Sequence, residues 1–402
     1  MTQALPNVLL ISLDTLRADV AYSGRFPNIE RLRQRGCSFA TTVSSSPLTP
    51  ISHASVFTGL QPASHGIRHL LREQLRPGVP TVAEALEGLG YVTGAVVSCP
   101  GLNHWYGLNR GFSHYDDWIP PLSDGRNALE VVDVQLRGTA LKRAPLVAER
   151  ALAWAKTAGP KPKFLFAHFF DAHWPYQAPE RPEAPLPNAY EEEVWYMDRS
   201  LGTLLDGLAS QGWTLENSIV ALFSDHGEDL AGWYPNDHSG ELSYREEKGH
   251  GCLLFDATQL VPMVICCPTL STPGSLVEEQ VRLVDLAPTL LQLVGRASFK
   301  CDGRSLVPLL RGDRLPDVPA YCETFYREEL AAIDPKWSHL LPLKATRTAG
   351  GKIVWEVGSD NVTAYDLRRD PNEHQPCALV AQMRDPREGT GEEASPPGDA
   401  AA

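Results

Sequence analysis

Two periods of apolar and polar positions take turns along this chain. "NVLLISLD", from Asn7 to Asp14, is an unbroken apolar run that stops at an acid, the pattern of a strand buried on both faces. "FPNIERLRQRG" follows with helical spacing and a closing glycine. The alternation then recurs. "TVAEALEGLG" reads as a helix before the strand "YVTGAVVS", and "LVAERALAWAKTAG" as a helix leading into the strand "KFLFAHFFDAH". "YMDRSLGTLLDGLASQG" reads as a helix before "SIVALFSDHGE", "VPMVICCP" as one more strand and "VRLVDLAPTLLQLVG" as one more helix. Such alternation predicts an α/β fold with a mostly parallel central sheet and helices on both faces. After Val294 the pattern changes, and "KATRTAGGKIVWEV" and "VTAYDLRRDPNE" read as short antiparallel strands. The expected organisation is an α/β domain over 1–295 and a small C-terminal antiparallel subdomain over 296–384 packed on it. Residues 385–402 are polar, acidic and rich in proline and glycine, so they are expected to be disordered.

In parallel sheets ligands sit beyond the carboxyl ends of the strands. Three strands here finish in polar residues: Asp14, Asp171 with His173, and Asp225 with His226. One such end is ordinary turn chemistry; three at the same edge imply a site. Asp225 and His226 offer a carboxylate oxygen and an imidazole nitrogen to one divalent cation, and Asp14 adds a second hard oxygen. Carboxylates suit manganese, magnesium or calcium, and the imidazole extends the choice to zinc. "SSSPLTPISHASVFTGLQPASHG", Ser44 to Gly66, supplies hydroxyls that such an ion could activate.

Charge strengthens this picture. The 402-residue chain carries a formal net charge of −13, so handling an anion requires a local positive source. The acidic balance and the lack of a basic stripe argue against nucleic acid. No stretch approaches the roughly 18 apolar residues that span a bilayer. The first apolar run is broken by Asp14 and has no basic lead, so it reads as a strand rather than a signal peptide, and a cytoplasmic location is expected. Eight cysteines without CxxC spacing are expected to be buried thiols rather than a zinc knuckle.

The chain resembles the sulfatase branch of the alkaline phosphatase superfamily over nearly its whole length. "NVLLISLDTLRAD" is similar to that family's opening metal-ligand strand, and "PLTPISHASVFTGLQPASHG" to its nucleophile loop and following helix. "GFSHYDDW", "FAHFFDAHWPY", "SDHGED", "GHGCLLFDATQLVPMVI", "VDLAPTLLQLVG", "DGRSLVPLLRG" and "AYDLRRDPNE" follow in the family's order. Many members carry a cysteine or serine, oxidised to formylglycine, in a C/S-x-P-x-R loop nine residues before the threonine of a Thr-Gly pair. Counting back nine from Thr58 reaches Thr49, with His53 where the arginine would stand. Threonine cannot become formylglycine, and Ser45 has Thr49 rather than arginine four residues on. The loop Thr49-Pro50-Ile51-Ser52-His53 is closer to the T-x-P-S-H of the superfamily's phosphoester branch.

The resemblance therefore implies a metal-dependent hydrolase of a phosphoester, phosphodiester or phosphonate ester acting through a covalent threonine intermediate. Its alternatives are a sulfuric ester hydrolase, a phosphoglycerol-type transferase and a non-catalytic metal-stabilised binding protein. One divalent ion is expected at Asp14, Thr49, Asp225 and His226, with a helix starting near Ser52 aiming its N–H groups at the anion. His53, His173 and His250 are the candidates for protonating the leaving group or binding the anion. Arg17, Asp171 and His238 are candidate substrate contacts, and Trp105, Tyr106, Trp174 and Tyr176 are candidates to line a specificity pocket. The expected partner is a small anionic ester; the pattern carries no sign of an oligomeric state.

Overall fold

The computed structural model describes residues 5–131, 133–230, 249–268, 273–333, 335 and 338–377. The central sheet has eight strands: β1 (Asn7–Leu13), β2 (Cys37–Phe39), β4 (Val92–Val96), β5 (His114–Asp116), β6 (Lys163–Phe169), β7 (Ser218–Phe223), β9 (Met263–Cys266) and β10 (Ser275–Val277). Their order is β10-β2-β9-β7-β1-β6-β4-β5. β1 lies between β6 and β7 and is parallel to both, with Ser12 opposite His168 on one side and Phe223 on the other. Strand order therefore diverges to either side of β1, and the crevice at such a point is where open sheets hold ligands.

Alternate residues of β1 serve opposite faces. Val8 and Leu10 join a core with Ile51, Phe57, Leu286 and Leu290, whereas Leu9, Ile11 and Leu13 join one with Ala148, Val194 and Leu201. The helices Thr49–Thr58 and Leu286–Leu293 thus cover one face, and Ala144–Thr157 and Ala189–Ser210 the other. The expected two-faced α/β layering is present. A small second sheet joins β11 (Val281–Arg282), β3 (Thr42–Val43) and β8 (Leu260–Val261).

Several details differ from the sequence reading. β9, the "VPMVICCP" strand, runs antiparallel to β7 and β2. "VRLVDLAPTLLQLVG" opens as β11, passes through a 3-10 turn at Leu283–Asp285, and becomes helical at Leu286. In that turn the Asp285 carboxylate accepts from the Arg282 backbone N–H at 2.9 Å and holds the chain out of the helix. The helix expected from Tyr196 begins at Ala189, where the Asn188 side chain accepts from the Glu191 N–H. The nucleophile-loop helix starts at Thr49, three residues before Ser52, with Pro50 in its first turn.

The C-terminal part is an antiparallel sheet of β12 (Ala320–Thr324), β13 (Leu343–Thr348), β14 (Gly351–Glu356) and β15 (Val362–Tyr365), in that order. β13–β15 fall in the stretches expected to be strands, whereas β12 and the helix Tyr326–Ile333 were not expected. Cys322, Leu343, Ala345 and Tyr365 of this sheet pack on Cys252, Leu253, Leu254 and Phe255. Beside that apolar contact lies a buried charge cluster. Lys352 Nζ meets Asp256 Oδ1 at 2.8 Å and Glu373 Oε1 at 2.6 Å, and Arg347 Nη2 meets Asp256 Oδ2 at 2.9 Å. Residues 385–402 lie outside the described residues. The eight cysteines are free thiols as expected; six are buried, whereas Cys301 and Cys377 are only partly so.

Candidate active site

Asp14 follows β1 and is anchored by its N–H to the Phe169 carbonyl at 2.9 Å. Thr15 then adopts φ 57°, a left-handed conformation unusual for a β-branched residue and costing on the order of 1–3 kcal/mol. Two bonds hold it there. Its N–H donates to Asp225 Oδ1 at 3.3 Å, and its hydroxyl to the Asp14 carbonyl at 2.7 Å. The outlier thus ties together the acid-bearing ends of β1 and β7.

Thr49 stands at the first position of its helix, all ten residues of which are buried. Its hydroxyl donates to Asp14 Oδ2 at 3.2 Å and lies 3.4 Å from His226 Nε2. Ser52, one turn on, donates to the Asp225 carbonyl at 2.8 Å, so the helix start is fastened to the β7 end.

The hydrogen bonds assign the histidine tautomers. His226 Nδ1–H donates to the Gly227 carbonyl at 3.0 Å, leaving the Nε2 lone pair facing Thr49 and Asp225. His168 is the reverse: the Ser98 N–H donates to Nδ1 at 3.2 Å, so Nε2 carries the proton and donates to Asp14 Oδ2 at 3.0 Å. His168 thereby orients the Asp14 carboxylate, as outer partners of metal sites do.

Asp14 Oδ1 and Asp225 Oδ2 are buried and make no hydrogen bond. Ligand atoms of Asp14, Asp225 and His226 lie within 4.8 Å of one another, and so do those of Asp14, Cys99 and His168. In the second group the His168 nitrogen nearest Asp14 is protonated, and burial pushes the Cys99 thiol up, which leaves that group poorly suited to a cation. In the first, burial together with the neighbouring Asp225 charge pushes the Asp14 carboxyl well above the usual range. Two hard oxygens without donors, beside an imidazole lone pair, fit a divalent cation.

A cavity of about 530 Å³ lies above this cluster, and Thr49, His173 and His250 line it. His250 Nδ1 is 3.1 Å from Glu228 Oε1, and its ring centroid is 4.2 Å from that of His226 and 4.8 Å from that of His173. His173 stacks on Phe170 and donates from Nδ1 to the Trp174 carbonyl at 2.7 Å. Burial lowers the His250 pKa to about 4 and raises that of Glu228 to about 8.

Other expected site residues lie elsewhere. His53 is fully buried, donating from Nδ1 to the Thr49 carbonyl at 2.8 Å while Nε2 meets the Ser12 hydroxyl at 2.9 Å. It braces the helix start from beneath instead of facing the cavity. Asp171 accepts from the Ala144 N–H at 3.2 Å and faces Arg143 at 3.4 Å, anchoring a helix; burial raises its pKa to about 7. Arg17 donates to the Glu228 carbonyl at 2.7 Å and pairs with Asp19, linking the segments after Asp14 and His226. Tyr106, Trp174 and Tyr176 line the cavity, whereas Trp105 is not among its lining residues. His238 falls outside the described residues. His168 and Glu228 are site residues that the sequence pattern did not reveal. Each sits within two or three residues of a group it did name, and a lone histidine in the apolar run of β6 was the available signal.

Among the described residues no helix is long and apolar enough to cross a membrane. A family model described as Sulfatase matches residues 6–296. The mouse steryl-sulfatase is 25% identical, over 94% of this chain and 79% of its own length. The fold is similar to that of a 2-O GAG sulfatase, with a TM-score of 0.69 at 21% identity over 93% of this chain and 88% of that one. It is also similar to a phosphonate monoester hydrolase of Agrobacterium radiobacter, with a TM-score of 0.68 at 20% identity over 94% and 92% of the two chains. The family match takes in the strand-end acids, the Thr49 loop and both helical layers, and the chain belongs to the sulfatase family of the alkaline phosphatase superfamily, hydrolases of ester bonds.

Proposed function

We propose that the protein hydrolyses sulfate esters, with Thr49 as nucleophile and one divalent cation held by Asp14, Thr49, Asp225 and His226. The observation that carries the reading is the position of Thr49. It lines the cavity, and its hydroxyl also touches both Asp14 and His226 of the donor cluster. The similarity to a steryl-sulfatase and to a 2-O GAG sulfatase favours sulfate over the phosphoester expected from the loop sequence alone.

A divalent cation held by Asp14, Thr49, Asp225 and His226 would supply positive charge that favours the threonine alkoxide and offsets charge on the ester oxygens. Asp14 Oδ2, already the acceptor of the Thr49 hydroxyl, takes its proton, while Asp14 Oδ1 and Asp225 Oδ2 are free to hold the cation. Thr49 Oγ1 forms a bond to sulfur as the bond from sulfur to the leaving oxygen breaks. His250 is the best-placed acid, because it lines the cavity beside Thr49 and is held in place by the contact of its Nδ1 with Glu228 Oε1 at 3.1 Å. An incoming anionic ester raises the His250 pKa from its lowered value, since nearby negative charge favours the protonated ring. Water then attacks sulfur and gives a proton to the His250 imidazole, the bond from Thr49 Oγ1 to sulfur breaks, and Asp14 Oδ2 returns its proton to the threonine oxygen.

A second reading, hydrolysis of a phosphonate or phosphate ester, is favoured by Thr49 itself. An alcohol nucleophile must be freed by a second in-line displacement, a route open at phosphorus. The test is turnover of nitrophenyl sulfate, phosphate, phosphodiester and phosphonate with manganese, zinc, magnesium and calcium, for wild type and Thr49→Ala. Dominant sulfate turnover that vanishes in the variant is expected. Dominant phosphorus ester turnover transfers the assignment to the second reading, and undiminished turnover in Thr49→Ala overturns the nucleophile.

A further inference from the structure

We infer that Arg143 is a positioning residue for the hydrolysis: its guanidinium ties together both ends of the loop that carries His173, Trp174 and Tyr176 over Thr49. The inference rests on the hydrolytic reading for its reaction, and on the loop geometry alone for the part Arg143 plays.

The loop runs from Asp171, just past β6, to Gln177. Its residues His173, Trp174 and Tyr176 all line the cavity of about 530 Å³. On the inner side His173 stacks on Phe170, with ring centroids 4.2 Å apart. The outer side has less to lean on, since Trp174 is about half exposed (49%). A wall of this kind keeps its shape only if supporting side chains fix its ends.

Arg143 does so from outside the cavity. It stands immediately before the helix Ala144–Thr157, and its side chain does not cap that helix. Nη1 lies 3.1 Å from both Glu193 carboxylate oxygens and 3.4 Å from Asp171 Oδ1, at the start of the loop. Nη2 donates to the Gln177 carbonyl at 3.1 Å, at the end of the loop. The Gln177 N–H in turn donates to Glu193 Oε1 at 2.7 Å. The Asp171 and Glu193 side chains are buried, and among the described residues no other cationic group pairs with either. Burial raises both carboxyls, and the Arg143 charge opposes that rise. The planar fork lets one side chain meet two carboxylates and a carbonyl together. A lysine ammonium supplies the charge without that span.

The test compares wild type, Arg143→Ala and Arg143→Lys on the nitrophenyl ester that wild type turns over best, with its preferred cation. Steady-state kinetics reads kcat and KM, thermal unfolding reads Tm, and hydrogen exchange reads the peptide over 171–177. Each is repeated with guanidinium chloride well below denaturing concentration, and with sodium chloride as the control. Arg143 is partly exposed, so the free ion can reach the place its side chain leaves. Arg143→Ala should raise KM and lower kcat/KM about a hundredfold, the order of loss from a displacement of about 1 Å. Guanidinium should recover much of that loss, and Arg143→Lys should lose less. A role confined to stability would lower Tm and the active fraction with KM unchanged, and that result overturns the inference. So does a raised KM that guanidinium fails to lower. If Arg143→Ala does not fold, Arg143→Lys decides: a raised KM supports the inference and a wild-type KM overturns it. If wild type turns over no ester, the hydrolytic reading falls and hydrogen exchange decides. Faster exchange over 171–177 in Arg143→Ala, slowed again by guanidinium, keeps the loop assignment, and wild-type exchange removes it.

Discussion

Replacing Lys352 by methionine should destabilise the protein by about 3 kcal/mol, the low end of the roughly 3–5 kcal/mol for breaking a buried ion pair. Lys352 is fully buried between Asp256 and Glu373, and methionine matches its stem while removing the charge. The low end applies because Asp256 keeps Arg347, which donates to it from Nε and Nη2. Glu373 has no such reserve; its remaining bond is from the Asp256 N–H at 2.6 Å. With an unfolding entropy of roughly 2.1 cal/mol/K per residue, that loss corresponds to a Tm decrease of about 4 °C. The pH dependence has a definite sign. Burial raises the Glu373 pKa to about 7, above the ordinary value of 4.5, so the native state holds that proton more tightly than the unfolded chain. Stability linked to Glu373 is fully present below about pH 4.5 and is lost as pH rises through 7. Without Lys352 the native pKa rises further, so the variant should lose more at pH 8 than at pH 5. Thermal unfolding at both values, with the double variant Lys352→Met/Glu373→Gln, closes the cycle. The double variant should recover part of the loss. An unchanged Tm at pH 8, or a double variant less stable than Lys352→Met alone, would refute the reasoning.

Two further outcomes follow from the site. His168→Ala removes the donor that orients Asp14, so cation affinity should fall about 10–100-fold, with turnover recovering at high metal concentration; titration of turnover against manganese reads both. Gly251→Ala sets a methyl carbon 2.7 Å from the Tyr326 ring at a φ of 116°, next to His250. About 1–3 kcal/mol of destabilisation and a reduced kcat are expected, and a variant as stable and active as wild type would show that this segment yields freely.

The strands that build the site were legible because each is buried on both faces and reads as a continuous apolar run; Asn7–Leu13 and Ser218–Phe223 are the clearest. The direction of β9 was not legible, since four apolar residues look alike in either sense and only its pairing with Cys37 and Ser38 of β2 and with Val220 to Phe223 of β7 decides it. β2, β3, β10 and β11 are two or three residues long, too short to show a period. Within the site, Asp14, Asp225 and His226 converge as the strand ends implied, and Thr49 joins them from the start of its helix. His53 and Asp171 do not face the cavity, because side-chain direction depends on packing: the first turns under its helix, and the second turns toward Arg143 and Ala144. His168 escaped notice because its partner, Asp14, lies 154 positions away in the chain.

The wholly buried Thr49–Thr58 helix divides labour between two parts of the molecule. Thr49 opens to the cavity on one side and is held on the other by Asp14 and His226. The helix contributes Thr49 and Pro50 to the cavity, and most of the walls come from the segments around Leu70, Pro100, Trp174 and Tyr326. Reaction and selectivity are therefore separable characters of this chain. A library varied at the walls other than His173 and His250 should change which esters are accepted while leaving the chemistry at Thr49 as it is.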